Sequence, residues 1–297
     1  MKKLAKVFSI FVAWIWSFLP YRFNLFFGKI LAFLWIDLFQ IRKKVIFDNL
    51  TLAFPNLSQH QKKKLARQSM QNLCRSFFDV IKIPSLSDSW IEKNVIFKGL
   101  ENLQNLRTEK SDKKGVFFIS LHLGSGDLSS AIISRKVMPV YLITKRFKNV
   151  FLDQFWFALR GASTVRFIDA HSKRNAFEIL AGLKLGSGII FVLDQFMGKP
   201  YGIETTFFGR KTGSAYGLSL FVKKTKAPVI PIYTFWGKDE KLHINFSERI
   251  DLSPYDNDDE ENFKRNVTNR FNLELEKIIR QHPEHWMWVH RRWKEFE

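Results

Sequence analysis

His122 and Asp127 are the two side chains whose types and spacing best suit general-base catalysis. His122 directly follows an apolar run, and Asp127 comes five residues later, after two glycines that permit a tight turn. Such a turn can bring the carboxylate to one ring nitrogen, which fixes the tautomer and makes the other nitrogen a better base for an alcohol. Taken alone, the spacing is a weak signal that also has a purely structural interpretation.

Other polar side chains come where predicted elements end. Asp194 and Gln195 follow a second apolar run, Lys145 follows a third, and Arg160 ends a predicted helix. Each has a structural alternative, as a helix cap, a turn cap or a solvated charge. Because open parallel sheets place their sites beyond the carboxyl ends of strands, we expect these side chains at one rim together with His122.

Apolar runs alternate with helical patterns through the middle of the chain. This order predicts an α/β fold with a mostly parallel sheet flanked by helices. The predicted strands are residues 115–121, 138–143, 164–168, 188–193, 229–235 and 242–246. The predicted helices are residues 59–83, 88–95, 101–108, 128–136, 150–160, 173–184, 216–224 and 263–281, with Ser58 as the cap of the first and Pro84 closing it.

The composition indicates a folded chain with anionic partners. Of 297 residues, 46% are hydrophobic and 15% aromatic, which excludes a disordered chain. The net charge of +19 favours nucleic acid, an acidic membrane, an acidic carrier protein or a phosphorylated substrate as partner. No nucleic-acid motif is recognisable, so a basic binding protein is the weaker, non-enzymatic alternative. The single cysteine, Cys74, excludes an internal disulfide and is expected to be buried.

Residues 1–40 alternate apolar stretches with basic residues and tryptophans. No small-residue cleavage site follows the first apolar run, residues 7–21, which is also shorter than the roughly 20 residues that span a bilayer. The pattern predicts a membrane-anchoring helical segment over residues 1–40, either a tilted span or a hairpin in one leaflet, before a catalytic domain over residues 41–297. The alternative is a buried helical pair in a soluble protein.

Several sequence blocks, in order and spacing, resemble the late acyltransferases of lipid A biosynthesis, the lauroyl/myristoyl transferase family. The resemblance covers nearly the whole chain and includes the H-x-x-x-x-D/E motif of the wider glycerolipid acyltransferase group at residues 122–127. The other blocks are N-L-x-x-A-F-P within 47–56, R-P-x-x-N at 145–149, D-Q/H at 194–195, F-F-G at 207–209 and P-E-Q-x-x-W-x-H-R-R-W-K at 283–294. Asp127 departs from the glutamate usual in this branch, and Lys145 stands where arginine is usual.

The resemblance implies an acyltransferase that moves a fatty acyl chain from an acyl carrier protein thioester to a hydroxyl of a lipid A precursor, in lipopolysaccharide biosynthesis. His122 would be the base, Asp127 would orient it, and Arg160 would stabilise the oxyanion or hold a phosphate. Such an enzyme is expected at the cytoplasmic face of the inner membrane. It would need no metal or other cofactor, because a thioester is already activated.

The remaining candidate site residues are expected to bind substrate. Lys145 would assist Arg160, and Asp194, with Gln195 beside it, would pair with Arg160 or bind substrate. Arg291 and Arg292 would contact phosphate or the carrier protein. Two alternative activities remain: the same reaction on a glycerophospholipid or glycolipid, and a serine hydrolase using Ser125, which lacks the G-x-S-x-G spacing.

Overall fold

A computed structural model describes residues 2–108 and 115–297. Its helices are α1 (Lys2–Ser17), α2 (Arg22–Ala32), α3 (Lys43–Ala53), α4 (Gln59–Lys82), α5 (Asp88–Asn94), α6 (Glu101–Thr108), α7 (Gly126–Lys136), α8 (Val150–Arg160), α9 (Asn175–Lys184), α10 (Gly217–Thr225) and α11 (Glu260–Gln281). The strands are β1 (Val95–Lys98), β2 (Val116–Ser120), β3 (Val140–Thr144), β4 (Arg166–Asp169), β5 (Gly188–Val192), β6 (Gly202–Phe207), β7 (Arg210–Ala215), β8 (Val229–Trp236) and β9 (Leu242–Phe246).

Seven strands form one sheet in the order β1-β9-β8-β2-β5-β3-β4. Every neighbouring pair is parallel except β8 and β9. Strand β2 is buried on both faces: Phe117 and Ile119 belong to one hydrophobic core, while Val116 and Phe118 belong to the other. The apolar runs are therefore strands covered by helices on both sides, which confirms the predicted mostly parallel α/β sheet.

The predicted helices and strands are confirmed with small shifts at their ends. Ser58 caps α4 in a capping box with Gln61, as predicted, and Pro84 lies in the 3-10 turn that follows. Cys74 is a buried free thiol, also as predicted. The sequence interpretation missed β1 and the separate antiparallel hairpin of β6 and β7.

The amino-terminal helices pack on the catalytic part of the chain. Helix α2 lies against α4, and α1 lies against α8. A π-helical turn, Phe33–Leu38, continues α2, and Ala13, Ala32 and Ile36 are buried in the two cores. Within the described residues, no one helix has both the length and the apolarity to cross a bilayer. Two stretches, Lys3–Ser17 and Arg22–Leu38, meet that test only together and bend by 117°.

Candidate active site

The centre of the site is a buried carboxylate that holds the imidazole of His122. Asp194 is 2% exposed, and its Oδ1 lies 2.8 Å from Nδ1 of His122. Its Oδ2 accepts the backbone N–H of His122 at 2.9 Å. The His122 side chain is 40% exposed, so it can meet a substrate while its Nδ1 side is fixed. A neutral imidazole held in this way carries its proton on Nδ1 and presents Nε2 as the base.

The strand register explains why these two residues meet. Strands β2 and β5 are parallel neighbours, and Ser120 is the register partner of Val192. His122 and Asp194 each lie two residues further on, so they face one another at the carboxyl edge of the sheet. This corrects the expectation that Asp127 holds the imidazole of His122 and that Asp194 pairs with Arg160.

The pKa values of the two groups shift in opposite directions. Burial lowers the pKa of His122, but the charge and hydrogen bond of Asp194, with a smaller effect of the Asp127 charge, outweigh it and raise the pKa above its usual value. Burial raises the pKa of Asp194, but the charge of His122 and the hydrogen bonds from His122 and Trp286 outweigh it and lower the pKa. Asp194 therefore stays ionised and makes His122 a stronger base.

Asp127 forms a different ion pair. Its Oδ1 lies 2.7 Å from Nη2 of Arg160, whose side chain is 5% exposed. Arg160 ends α8 and also lies over the ring of Phe167 at 4.3 Å, and its Nη1 donates to Thr144 at 3.3 Å. The pair fixes the guanidinium between Asp127 in the first turn of α7 and Thr144 at the carboxyl end of β3. It can stabilise negative charge that develops there or bind an anionic group.

The backbone turn after His122 requires glycine at position 124. Gly124 has φ of 63°, and a Cβ there would lie 2.2 Å from the carbonyl oxygen of Thr234. No side chain fits in that space. The turn then enters α7, whose first turn contains Asp127.

The remaining predicted residues separate into surface and core. Gln195 reaches the site, with its Nε2 3.4 Å from Nε2 of His122. Lys145 and Arg291 are exposed. Between Lys145 and α8, Asn149 caps the helix by accepting the N–H groups of residues 151 and 152, and Asp153 accepts the N–H of residue 147. These two positions therefore shape the loop.

Arg292 lies in the core and not at a binding surface. It is fully buried, and its guanidinium donates to the Gly213 carbonyl at 2.7 Å and to Ser214 Oγ at 2.6 Å in strand β7. Burial lowers its pKa to about 10, against the charges of Asp194 and Glu276. The expectation that Arg292 contacts phosphate or carrier protein is corrected: it fixes the hairpin of β6 and β7.

Sequence reasoning missed the part played by the chain after α11. Trp286 donates its indole N–H to Asp194 Oδ2 at 2.7 Å. The backbone N–H of Met287 donates to the His122 carbonyl at 3.0 Å, and Gly124 N–H donates to the His285 carbonyl at 3.1 Å. The aromatic-rich block at residues 283–294 was the available signal, although the sequence interpretation assigned a role only to its two arginines.

Ser125 is not placed as a nucleophile. Its side chain is buried and donates to the buried carboxylate of Asp79, which also accepts from Trp236 at 3.0 Å. A hydroxyl bonded beneath the turn cannot reach a substrate that meets His122 from solvent. The arrangement therefore disfavours the serine hydrolase alternative.

A sheet-edge histidine backed by a buried carboxylate, followed by the Asp127–Arg160 ion pair, is an arrangement expected of an α/β enzyme that uses general-base catalysis. The family model for bacterial lipid A biosynthesis acyltransferases matches residues 2–295. The chain belongs to this family and is an acyltransferase.

Curated relatives agree along most of the chain. It is 22% identical to a lipid A biosynthesis palmitoleoyltransferase of Escherichia coli over 288 residues, which is 97% of this chain and 90% of that protein. It is 21% identical to a lipid A biosynthesis lauroyltransferase of the same species over 290 residues, 96% and 90% of the two chains. A lipid A biosynthesis acyltransferase of Haemophilus influenzae is 23% identical over 243 residues, 81% and 72%.

Proposed function

We propose that this enzyme transfers a fatty acyl chain from an acyl carrier protein thioester to a hydroxyl of a lipid A precursor, with His122 as general base. The observation that carries the proposal is the 2.8 Å bond between Nδ1 of His122 and the buried Asp194, in an imidazole that is still 40% exposed. This geometry produces a neutral base whose free nitrogen can meet a lipid alcohol.

The reaction follows in two steps. The acceptor hydroxyl gives its proton to Nε2 of His122, and its oxygen attacks the thioester carbonyl carbon. The tetrahedral intermediate then collapses, the C–S bond breaks, and the carrier thiolate takes the proton from the imidazolium. Asp194 stabilises the imidazolium between these steps, as a buried carboxylate does in other His-based sites.

Arg160 supplies the positive charge for this chemistry. Its guanidinium is held by Asp127 and by the aromatic ring of Phe167, so it does not have to reorganise during the reaction. It would stabilise the oxyanion or hold a phosphate of the acceptor. Exposed Lys145 and Arg291 would add contacts to phosphate or to the acidic carrier.

We also propose that the enzyme works at the cytoplasmic face of the inner membrane. Large apolar side chains are exposed along α1 and α2, namely Leu4, Val7, Phe8, Ile10, Phe11, Trp14, Ile15, Phe18, Phe23, Phe26 and Ile30. A surface of this kind suits insertion into one leaflet. Phe8 packs near Phe151 and Phe155 of α8, so the apolar surface rests on the helix that carries Arg160.

Purified enzyme in mixed micelles would be incubated with acyl carrier proteins of several acyl lengths and with three acceptors: a lipid A precursor, a glycerophospholipid and a glycolipid. Mass spectrometry would identify the acylated product. We expect transfer to the lipid A precursor, and H122A should lower turnover by about 10²–10⁴-fold.

The matched control is H171A, which removes an exposed histidine from a loop and should act at the wild-type rate. Transfer only to another lipid would refute the proposed acceptor. Near-normal turnover by H122A would refute the proposed base.

A further inference from the structure

We propose that Trp286 is a positioning residue for acyl transfer: its indole N–H shares the Asp194 carboxylate with His122 and fixes the orientation of that carboxylate. The inference rests on the proposed role of His122 as the base.

The Asp194 carboxylate accepts three hydrogen bonds. Two come from His122, through Nδ1 at 2.8 Å and the backbone N–H at 2.9 Å. The third comes from Trp286 Nε1 at 2.7 Å, onto the same Oδ2 as the backbone N–H. Among the side chains of residues 3–104 and 115–297, Trp286 is thus the one besides His122 that donates to Asp194, and it limits rotation of the carboxylate about its last bond.

The indole ring is itself held firmly. Trp286 is 1% exposed and packs edge-on against Trp288, with ring centroids 4.5 Å apart. Its other aromatic neighbours are Phe207 at 5.9 Å and Trp293 at 6.3 Å. A ring enclosed in this way can keep its N–H directed at Asp194 without a further loss of side-chain entropy.

The same segment also fixes the backbone of the histidine. Trp286 forms a β-bridge with Leu123, and Met287 N–H donates to the His122 carbonyl. Both members of the His122–Asp194 pair therefore contact two successive residues of chain beyond α11, Trp286 and Met287.

Trp288 provides the matched control. It is also 1% exposed and also donates its indole N–H at 2.7 Å, but to the carbonyl of Pro283. W286F and W288F therefore remove the same group from equally buried rings, and only W286F removes a hydrogen-bond donor from Asp194.

The test measures the His122 titration directly. The rate of carbethoxylation of His122 would be followed against pH by peptide mass spectrometry, together with steady-state kinetics. Because a carboxylate with one donor fewer binds the imidazole proton more tightly, W286F should move the His122 midpoint upward by about half a unit to one unit. Its kcat should fall about 10- to 100-fold, with KM within about twofold.

W288F should titrate at the wild-type midpoint even if it melts at a lower temperature. An unmoved or lowered midpoint in W286F would overturn the inference. If wild-type enzyme shows no acyl transfer but W286F still shifts the midpoint, the proposed function fails and the positioning role stands.

A measurement on the unaltered chain keeps the inference testable if W286F does not fold. With 15N-labelled tryptophan indoles, the N–H resonance of Trp286 should move through the same pH transition as His122, and that of Trp288 should not. If neither the Trp286 nor the Trp288 resonance shifts through this transition, the proposal is overturned.

Discussion

The basicity of His122 depends mainly on Asp194, and this gives the site a definite pH dependence. The pKa of His122 is raised, so its neutral form, which acts as the base, is lost as the pH falls through that raised value. Asp127 raises the pKa of His122 less than Asp194 does. Substituting each carboxylate in turn can therefore separate their two effects on the pH dependence.

D194N is expected to shift the acid limb of kcat/KM to lower pH, since the amide no longer stabilises the imidazolium. Its plateau should fall by about 10²–10⁴-fold, because the amide also allows the wrong tautomer. The measurement is a full pH–rate profile of D194N beside the wild type. An acid limb that stays in place would contradict the assigned pair.

D127N tests the second carboxylate. It leaves the buried guanidinium of Arg160 without its counterion, so the free energy of unfolding should fall by about 3 kcal/mol, measured by urea denaturation. Its acid limb should move less than that of D194N. D127E, which can keep the ion pair, is the control; equal stability of D127N and wild type would contradict the structural role of the pair.

At the scale of elements, the segment after α11 connects distant blocks of the sequence to the site. Asn49 in α3 donates its side-chain amide to the carbonyls of Trp288 and His290, each at 2.7 Å. Arg292 joins the same segment to β7. Trp293 donates its indole N–H to the Phe207 carbonyl at 2.8 Å. The N-L-x-x-A-F-P and F-F-G blocks therefore support one strap of chain, residues 283–293, which contacts His122 and Asp194.

N49A should loosen this strap. One buried and one partly buried carbonyl lose their donor, so the free energy of unfolding should fall by about 2 kcal/mol. Turnover per folded molecule should fall roughly tenfold as the site shifts. Urea denaturation and kcat, each on the same preparation, would measure both effects.

N102A is the control for the strap. Asn102 also donates its amide to one backbone carbonyl, that of Phe246, at 2.9 Å, but at the far edge of the sheet. It should lower stability by about 1 kcal/mol and leave turnover unchanged. Equal turnover in N49A and N102A would show that the strap does not position the site.

The sequence allowed the strands and the rim of the site to be predicted, because apolar runs and the polar residues after them are local signals. It did not allow the partner of His122 to be predicted. Asp194 is 72 positions away, and its place opposite His122 depends on the order of strands in the sheet. The hairpin of β6 and β7 was missed because most of its buried side chains are not apolar: Thr205, Thr212 and Ser214 are buried beside Ile203 and Phe207.

At the scale of the whole molecule, the predicted anchor and the catalytic part share one buried polar network. Asn24 in α2 donates to Asp79 Oδ1 at 2.8 Å, and Ser125 in the catalytic turn donates to the other oxygen of that carboxylate. Trp16 in α1 donates to Asn24 at 2.8 Å. This network crosses the predicted boundary between residues 1–40 and 41–297, so the apolar helices hold a fixed position relative to the site.

The outer surface of α1 and of the residue that follows it is apolar. Phe11, Trp14 and Phe18 are 53%, 59% and 70% exposed and their rings contact one another in sequence, so together they form one apolar patch. Replacing all three with serine should weaken binding to vesicles of anionic phospholipid by about tenfold for each side chain, since each large apolar group contributes about 1.5–3 kcal/mol when buried. Flotation with vesicles would measure binding, and thermal melting would check that the fold is kept.

The double variant F177S/L185S is the control, because Phe177 and Leu185 are 66% and 69% exposed in α9 and at its end. It should bind vesicles like the wild type. The net charge of +19 also predicts that wild-type binding falls as salt rises from low to physiological concentration. If the triple variant floats as well as the control, α1 is not the surface that enters the bilayer, and the proposed membrane location would have to depend on another face of the protein.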